Sequence, residues 1–318
     1  RTATQNYDLE DIETWDLRKI MEESAKYFLM SLENEEDLSR VSVKNYLNLI
    51  TDGKDSEGKS TEKYRPNLYD FLAHRAIDFF SNDLYNITQA ANTFKVDDEK
   101  YFEVAEKFAQ HKIEVVDSSN LKNYAFILLQ NLTKAHLNDT EKYALIDVEL
   151  KRLKFTKENA QLENKDNLYY EALEKLSNKF SKHEAVADVY YEMANIHFQN
   201  GQKYNSKEGL KYKGEKEKAI RICYATSMNY GASLGAKKCL HLLDKLKEKQ
   251  LTLRNEKYYP SNKKSKVSVN YKNIKKSYFK IIKVDYETFE EWINNRSYVK
   301  NRNEVLRNKF EAQTAYKS

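Results

Sequence analysis

RPNLYDFLAHRAIDFF (65–80) sets Asp70, His74 and Asp78 four residues apart, which places all three on one face of a helix. A carboxylate–imidazole–carboxylate stripe could ligate a metal or pass a proton. At 1.5 Å rise per residue, Asp70 and Asp78 stand about 12 Å apart. One ion therefore reaches at most Asp70 and His74, and further ligands must come from elsewhere. The six histidines, at 74, 111, 136, 183, 197 and 241, form neither HxxxH nor HExxH. The stripe is expected to be a salt-linked, solvated face that holds no metal.

Other chemistries lack their structural context. As strings, GKDSEGKS (53–60) fits GxxxxGK[ST] and GASLG (231–235) fits GxSxG, but they fall in a loop and between helices, without the strand that a phosphate loop or a nucleophile elbow follows, and GxGxxG is absent. His183–Glu184 and Cys239 with His241 are the compact nucleophile-like pairs, expected to be packing and surface residues. Cys223 and Cys239 form no CxxC and are expected to be buried free thiols on consecutive helices. The sequence assigns no catalytic, cofactor-binding or metal-ligating residue, and an enzyme is the least expected reading.

The elements that would position any site are helices. Only 7 Gly and 2 Pro occur in 318 residues, alongside 24 Tyr and 14 Phe, a composition that starves sheets of turns. DIETWDLRKIMEESAKYFLMSL (11–32) places Ile12, Trp15, Ile20, Ala25, Phe28 and Leu32 near one face. In 65–80, Leu68, Leu72, Ala76 and Phe79 make one apolar row and Tyr69, Ala73, Ile77 and Phe80 a second. That helix should be buried over a wide arc, and Pro66 stands where it can begin. The loop 51–64 is expected to be mobile. Further helices are expected near 98–116, 120–136, 141–153, 167–180 and 184–200.

After residue 250 the pattern changes. Val267, Val269 and Tyr271, then Tyr278, Lys280, Ile282 and Val284, alternate around Lys275–Lys276, a strand–turn–strand signal. The expected class is mainly α: a helical hairpin array over 1–250, short β-strands over 251–285, and a helical tail over 286–318. Two strands alone are marginal, so the chain is expected to be truncated on its C-terminal side.

Charge is unevenly spread. Residues 1–150 hold 18 Lys/Arg against 29 Asp/Glu, a net of −11, and residues 151–318 hold 36 against 20, a net of +16. The basic half could meet nucleic acid or an anionic membrane, but its lysines are scattered, and docking on an acidic partner or the acidic half is the preferred reading. No apolar run reaches 18 residues, so no segment is expected to cross a membrane. The opening RTATQNYDLED does not read as a secretory leader.

A repeat lies in residues 167–246. Tyr190, Met193, Ala194 and His197 fall where helix A of a tetratricopeptide unit packs, and Ala219, Cys223 and Thr226 match its helix B. Tyr230–Gly231 replaces the usual aromatic–Pro exit, and LYYEALEKLSNKFSKHEAVA is a weaker earlier copy. Phe180 to Tyr230 spans 50 residues against a standard period of about 34. The insertion KYNSKEGLKYKGE (203–215) accounts for the excess.

RPNLYDFLAHRAIDFF, ALIDVELKRLKF (144–155), YYEMANIHFQNGQKYN and VNYKNIKKSYFKIIKV together resemble the N-terminal region of the large alpha-2-macroglobulin-like proteins of Bacteroides-type bacteria. In that family a helical, tetratricopeptide-like region precedes a string of macroglobulin-type β-sandwiches. Related macroglobulins trap proteases through a bait region, and many carry a thioester in CxEQ. Here Cys223 is followed by Tyr–Ala–Thr and Cys239 by Leu–His–Leu, so no catalytic residue carries over. The resemblance implies a non-enzymatic N-terminal module of an exported periplasmic or cell-envelope protein, acting in protease inhibition or envelope defence through protein partners. The alternative is a stand-alone tetratricopeptide-type scaffold for a peptide or protein. A basic nucleic-acid binder comes third and is not expected. The sequence names no cofactor and leaves partner-binding residues and oligomeric state open.

Overall fold

Short polar side chains start the helices. Asp16 accepts from the Lys19 amide to open α1 (Leu17–Met30), and α2 (Glu35–Arg40) follows Asn34 in the left-handed region. Asn67 and Asp70 form a reciprocal capping box at the head of α3 (Leu68–Phe80). Pro66 lies just outside it, its carbonyl accepting from the Val43 N–H at 3.1 Å. Then follow α4 (Ala105–Phe108), α5 (Leu121–His136), α6 (Tyr143–Asn159), α7 (Lys165–Lys179), α8 (Val186–Gln202), α9 (Glu215–Asn229) and α10 (Leu234–Lys247).

This computed structural model describes residues 11–50, 61–82, 94–113, 120–256, 264 and 266–279. It is mainly helical, with a short two-stranded sheet. It divides into two units, Arg1–Leu246 and Lys247–Ser318. Among the described residues no helix is long and apolar enough to cross a membrane.

In the first unit, α3 packs on α5, and from α5 to α9 each helix packs on the next. The main core runs from Ala25 in α1 to Met193 in α8 and includes Ile77, Phe80, Phe126, Leu129, Leu153 and Leu173. The row Tyr69, Ala73, Ile77 and Phe80 is fully buried, as the wide arc requires. The helix expected over 98–116 is instead a 3-10 turn, Glu99–Phe102, followed by α4. There the Tyr101 and Glu103 carbonyls accept from the Arg152 guanidinium, and Glu103 is extended. Of the face expected over 11–32, Ala25 is in the core and Phe28 and Leu32 pack against it, joined by the buried Met21, whereas Ile12, in a 3-10 turn before α1, and Ile20 are exposed.

A second cluster joins Ala194 and Phe198 of α8, Ala219 and Cys223 of α9, and Cys239 and Leu242 of α10. Ala194 and Ala219 are wholly buried, and residues 203–214 link the two helices. The hairpin layout is as expected; the tetratricopeptide type rests on sequence spacing alone. Both cysteines are free and buried. The neighbouring Cys223 thiol, then burial, pushes the Cys239 thiol up. Gly235 opens α10 against α8: a Cβ there would stand 2.1 Å from the Ala187 carbonyl carbon.

In the second unit, β1 (Gln250–Arg254) pairs antiparallel with β2 (Ser268–Lys272), Leu251 opposite Tyr271 and Leu253 opposite Val269. The strand expected around Val267–Tyr271 exists, and its partner among the described residues is β1. Tyr278 and Phe279 are outside any strand. α10 stops at Lys247, three residues short of the expected end of the helical array, and QLTLR forms β1 at the start of the expected β segment. Lys280, Ile282 and Val284, the tail 286–318 and residues 51–60 of the loop lie outside the described residues. Leu251, Leu253, Val269 and Tyr271 share one sheet face, and all are exposed.

Two outcomes test this packing. Gly235→Ala must push backbone apart and should destabilise the chain by about 1–3 kcal/mol; a melting temperature equal to the parent's would show that α10 does not abut α8. Amides of β1 and β2 should exchange far faster than those of α8, because a lone two-stranded ribbon opens locally. Equal protection would mean that the strands share the helical core's stability.

Candidate functional site

α3 turns its stripe inward. Asp70 and His74 are 1% and 2% exposed, and Asp78 alone stays outside. The expectation of a solvated face is therefore overturned for two of the three residues. The reason lies 66 residues away: Asp70 Oδ1 meets His136 Nε2 at 2.9 Å, and His136 Nδ1 meets Asp139 Oδ2 at 2.7 Å. Burial works against a charge on His136, but the hydrogen bond and charge of Asp70, then those of Asp139, outweigh it and raise its pKa. His74 goes the other way. Burial, then the positive charges of Arg65 and Lys151, hold it well below the ordinary histidine value.

Outside this buried pair lies a cleft of about 700 Å³, a volume in the range of ligand sites. Its wall takes Phe71, Arg75 and Asp78 from α3, Asp147, Leu150, Lys151 and Lys154 from α6, Asp188, Tyr191 and Glu192 from α8, and Lys238 from α10. Val43, Leu47 and Ile50, with Glu62, Tyr64 and Arg65, complete it. Every lining residue belongs to the first unit.

The cleft is polar at depth. Lys151 Nζ contacts Asp78 Oδ1 at 2.6 Å and donates to the His74 carbonyl at 3.2 Å, which ties α6 to α3. Burial lowers the Lys151 pKa, with Asp78 opposing. Asp147 Oδ2 lies 3.5 Å from Arg65 Nε and 3.8 Å from His74 Nε2, yet neither is aligned to hydrogen-bond it. Burial raises its pKa, and Arg65 and then Lys151 pull it back. Its side chain is walled in but 30% of it is still exposed. Lys238 Nζ meets Asp188 Oδ1 at 2.7 Å, and the Tyr64 hydroxyl donates to Asp188 Oδ2 at 3.4 Å.

Such a wall can bind charged and apolar groups together. His74 would be the natural proton-transfer group, but only 3% of its side chain is exposed and it does not line the cleft. Among the described residues no group of three or more His, Cys, Asp or Glu is placed to hold a metal ion. The other sequence pairings are dispersed. Glu184 accepts from Lys63 and from the Tyr143 hydroxyl, both at 2.5 Å, and His241 is exposed while Cys239 is buried. Sequence reasoning missed Arg65, Asp147, Lys151, Asp188 and Lys238. Asp147 and Lys151 stand four apart on one helix face, a visible signal, but their partners on α3, α8 and α10 are not local. No family model, curated protein or solved structure matches the chain.

The two histidines give opposite pH signatures. His136 has a raised folded pKa, so its contribution is complete below the unfolded value of about 6.5 and is lost as pH rises through the folded value. Urea unfolding should show the parent's advantage over His136→Gln shrinking from about pH 6 to pH 9; a constant or growing advantage would contradict the Asp70–His136–Asp139 relay. His74, with a lowered folded pKa, contributes above about 6.5 and loses that contribution on acidification.

Proposed function

We propose that the chain is a non-enzymatic interaction module and that its cleft holds a segment of a protein partner. The observation that carries this reading is the cleft itself: about 700 Å³, walled by α3, α6, α7, α8, α10 and the segments around 43–50 and 61–65, with apolar side chains interleaved with charges. Partner segments are gripped by such mixed surfaces, where apolar contacts supply affinity and charges supply register. The sequence resemblance supports reading it as a module at the head of an alpha-2-macroglobulin-like protein, working in the periplasm or cell envelope in protease inhibition or defence. The exposed apolar face of Leu251, Leu253, Val269 and Tyr271 suits the opening strands of a sandwich whose second sheet would cover it. The stand-alone scaffold remains the second reading, favoured by one observation: all cleft residues lie within the first unit, so binding needs nothing downstream.

Selection of random peptides on the whole chain tests the proposal. Leu150→Trp and Leu47→Trp, made separately, fill the cleft while leaving its charges in place. Peptides selected on the parent should lose at least about tenfold in affinity for both variants, a loss of about 1.4 kcal/mol. Peptides that bind parent and variants alike would place recognition elsewhere and remove the cleft from the reading.

A further inference from the structure

Three ion pairs form within the cleft and leave two of its cations over, along with Glu62 and Glu192. Asp147 faces Arg65, Asp78 faces Lys151 and Asp188 faces Lys238, each within 3.5 Å. Glu62 has Lys44 at 3.6 Å, and Glu192 accepts from the Tyr169 hydroxyl at 3.1 Å. Arg75 and Lys154 are exposed, and neither has a carboxylate in ion-pair range among the described residues. Arg75 precedes Asp78 by one turn on α3, and Lys154 follows Lys151 by one turn on α6, so the two cations flank the Lys151–Asp78 bridge. Beside them lie Phe71, whose ring centroid is 5.8 Å from the Arg75 guanidinium, and Leu150. A generally basic surface does not explain Arg75, because residues 1–150 carry a net of −11.

We propose that the cleft takes an extended acidic peptide segment, with separate carboxylates meeting Arg75 and Lys154 and apolar side chains on Leu150 and Leu47. The proposal rests on the reading of the cleft as a partner-binding site and names the chemistry of its occupant. A bare anion would leave the apolar wall unused. A nucleic-acid strand carries its charges at close, regular spacing and would bring phosphates against Asp78, Asp188 and Glu192 in the same cleft. A peptide can space its carboxylates to meet the two cations and present apolar side chains between them.

The test uses three dye-labelled, end-capped octapeptides that alternate leucine with glutamate, glutamine or lysine, titrated into the full chain by fluorescence anisotropy. The glutamate peptide should bind most tightly, weaken as salt rises, and lose at least about tenfold in an Arg75→Glu/Lys154→Glu variant. The lysine peptide should gain in that variant. The neutral Arg75→Gln/Lys154→Gln variant should weaken the glutamate peptide without favouring the lysine one, and it serves if the reversed variant folds poorly. Equal affinity for the glutamate and glutamine peptides, or no response of the glutamate peptide to either variant, would overturn the proposal. If the glutamate and glutamine peptides bind equally and both are lost in Leu150→Trp, the acidic occupant falls but the cleft stands as a binding site. If no peptide responds to Leu150→Trp, both readings fall together.

Discussion

Arg152 is the largest side chain that the described core encloses completely, and the helical unit is arranged around its charge. A guanidinium taken out of water costs several kcal/mol unless it is paired and hydrogen-bonded. Here Nε and Nη2 both reach the Glu149 carboxylate, at 2.7 and 2.6 Å. Nη1 donates to the Tyr101 carbonyl at 2.6 Å and Nη2 to the Glu103 carbonyl at 3.0 Å. The Phe108 ring lies 4.3 Å below the charge, and Glu149 accepts from the Thr133 hydroxyl at 3.2 Å. One ion pair thus fixes α6 against α5 and bends the chain over 99–108.

That fixation has a consequence on the other face of α6. With Glu149 and Arg152 turned inward, the helical period turns Asp147, Leu150, Lys151 and Lys154 outward, and all four line the cleft. α3 is held by the same logic. Asp70 is bound to His136 and His74 is enclosed, which leaves Phe71, Arg75 and Asp78 to form the facing wall. Lys151 spans the two helices through Asp78 and the His74 carbonyl. Buried charge inside the unit and matched charge in the cleft are therefore two sides of the same helices.

The apolar rows made most of this fold legible. α5, expected over 120–136, is Leu121–His136, and α7, expected over 167–180, is Lys165–Lys179; both have regular spacing and no competing signal. What failed was charge. Asp70 and His74 read as wet because a carboxylate and an imidazole one turn apart normally are, and nothing near them announces His136. All of the strand Gln250–Arg254 but Gln250 lies in the segment expected to be β, but its five residues follow a Lys-rich run without Gly or Pro, so no turn signal singles them out. The cleft was illegible for a similar reason: its ion pairs join residues such as Arg65 with Asp147 and Asp188 with Lys238, and single-chain spacing carries no trace of such contacts.

The central claim is that a buried, fully paired charge holds α6 and hence the cleft wall. A double-mutant cycle on Glu149 and Arg152, read by urea unfolding, tests it most directly. Arg152→Met alone strands a buried carboxylate and should cost about 3–5 kcal/mol, whereas Glu149→Leu with Arg152→Met should cost clearly less than that single change. A loss below about 0.5 kcal/mol for Arg152→Met, the range of ordinary surface changes, would mean that the guanidinium is solvated and that α6 is held by something else.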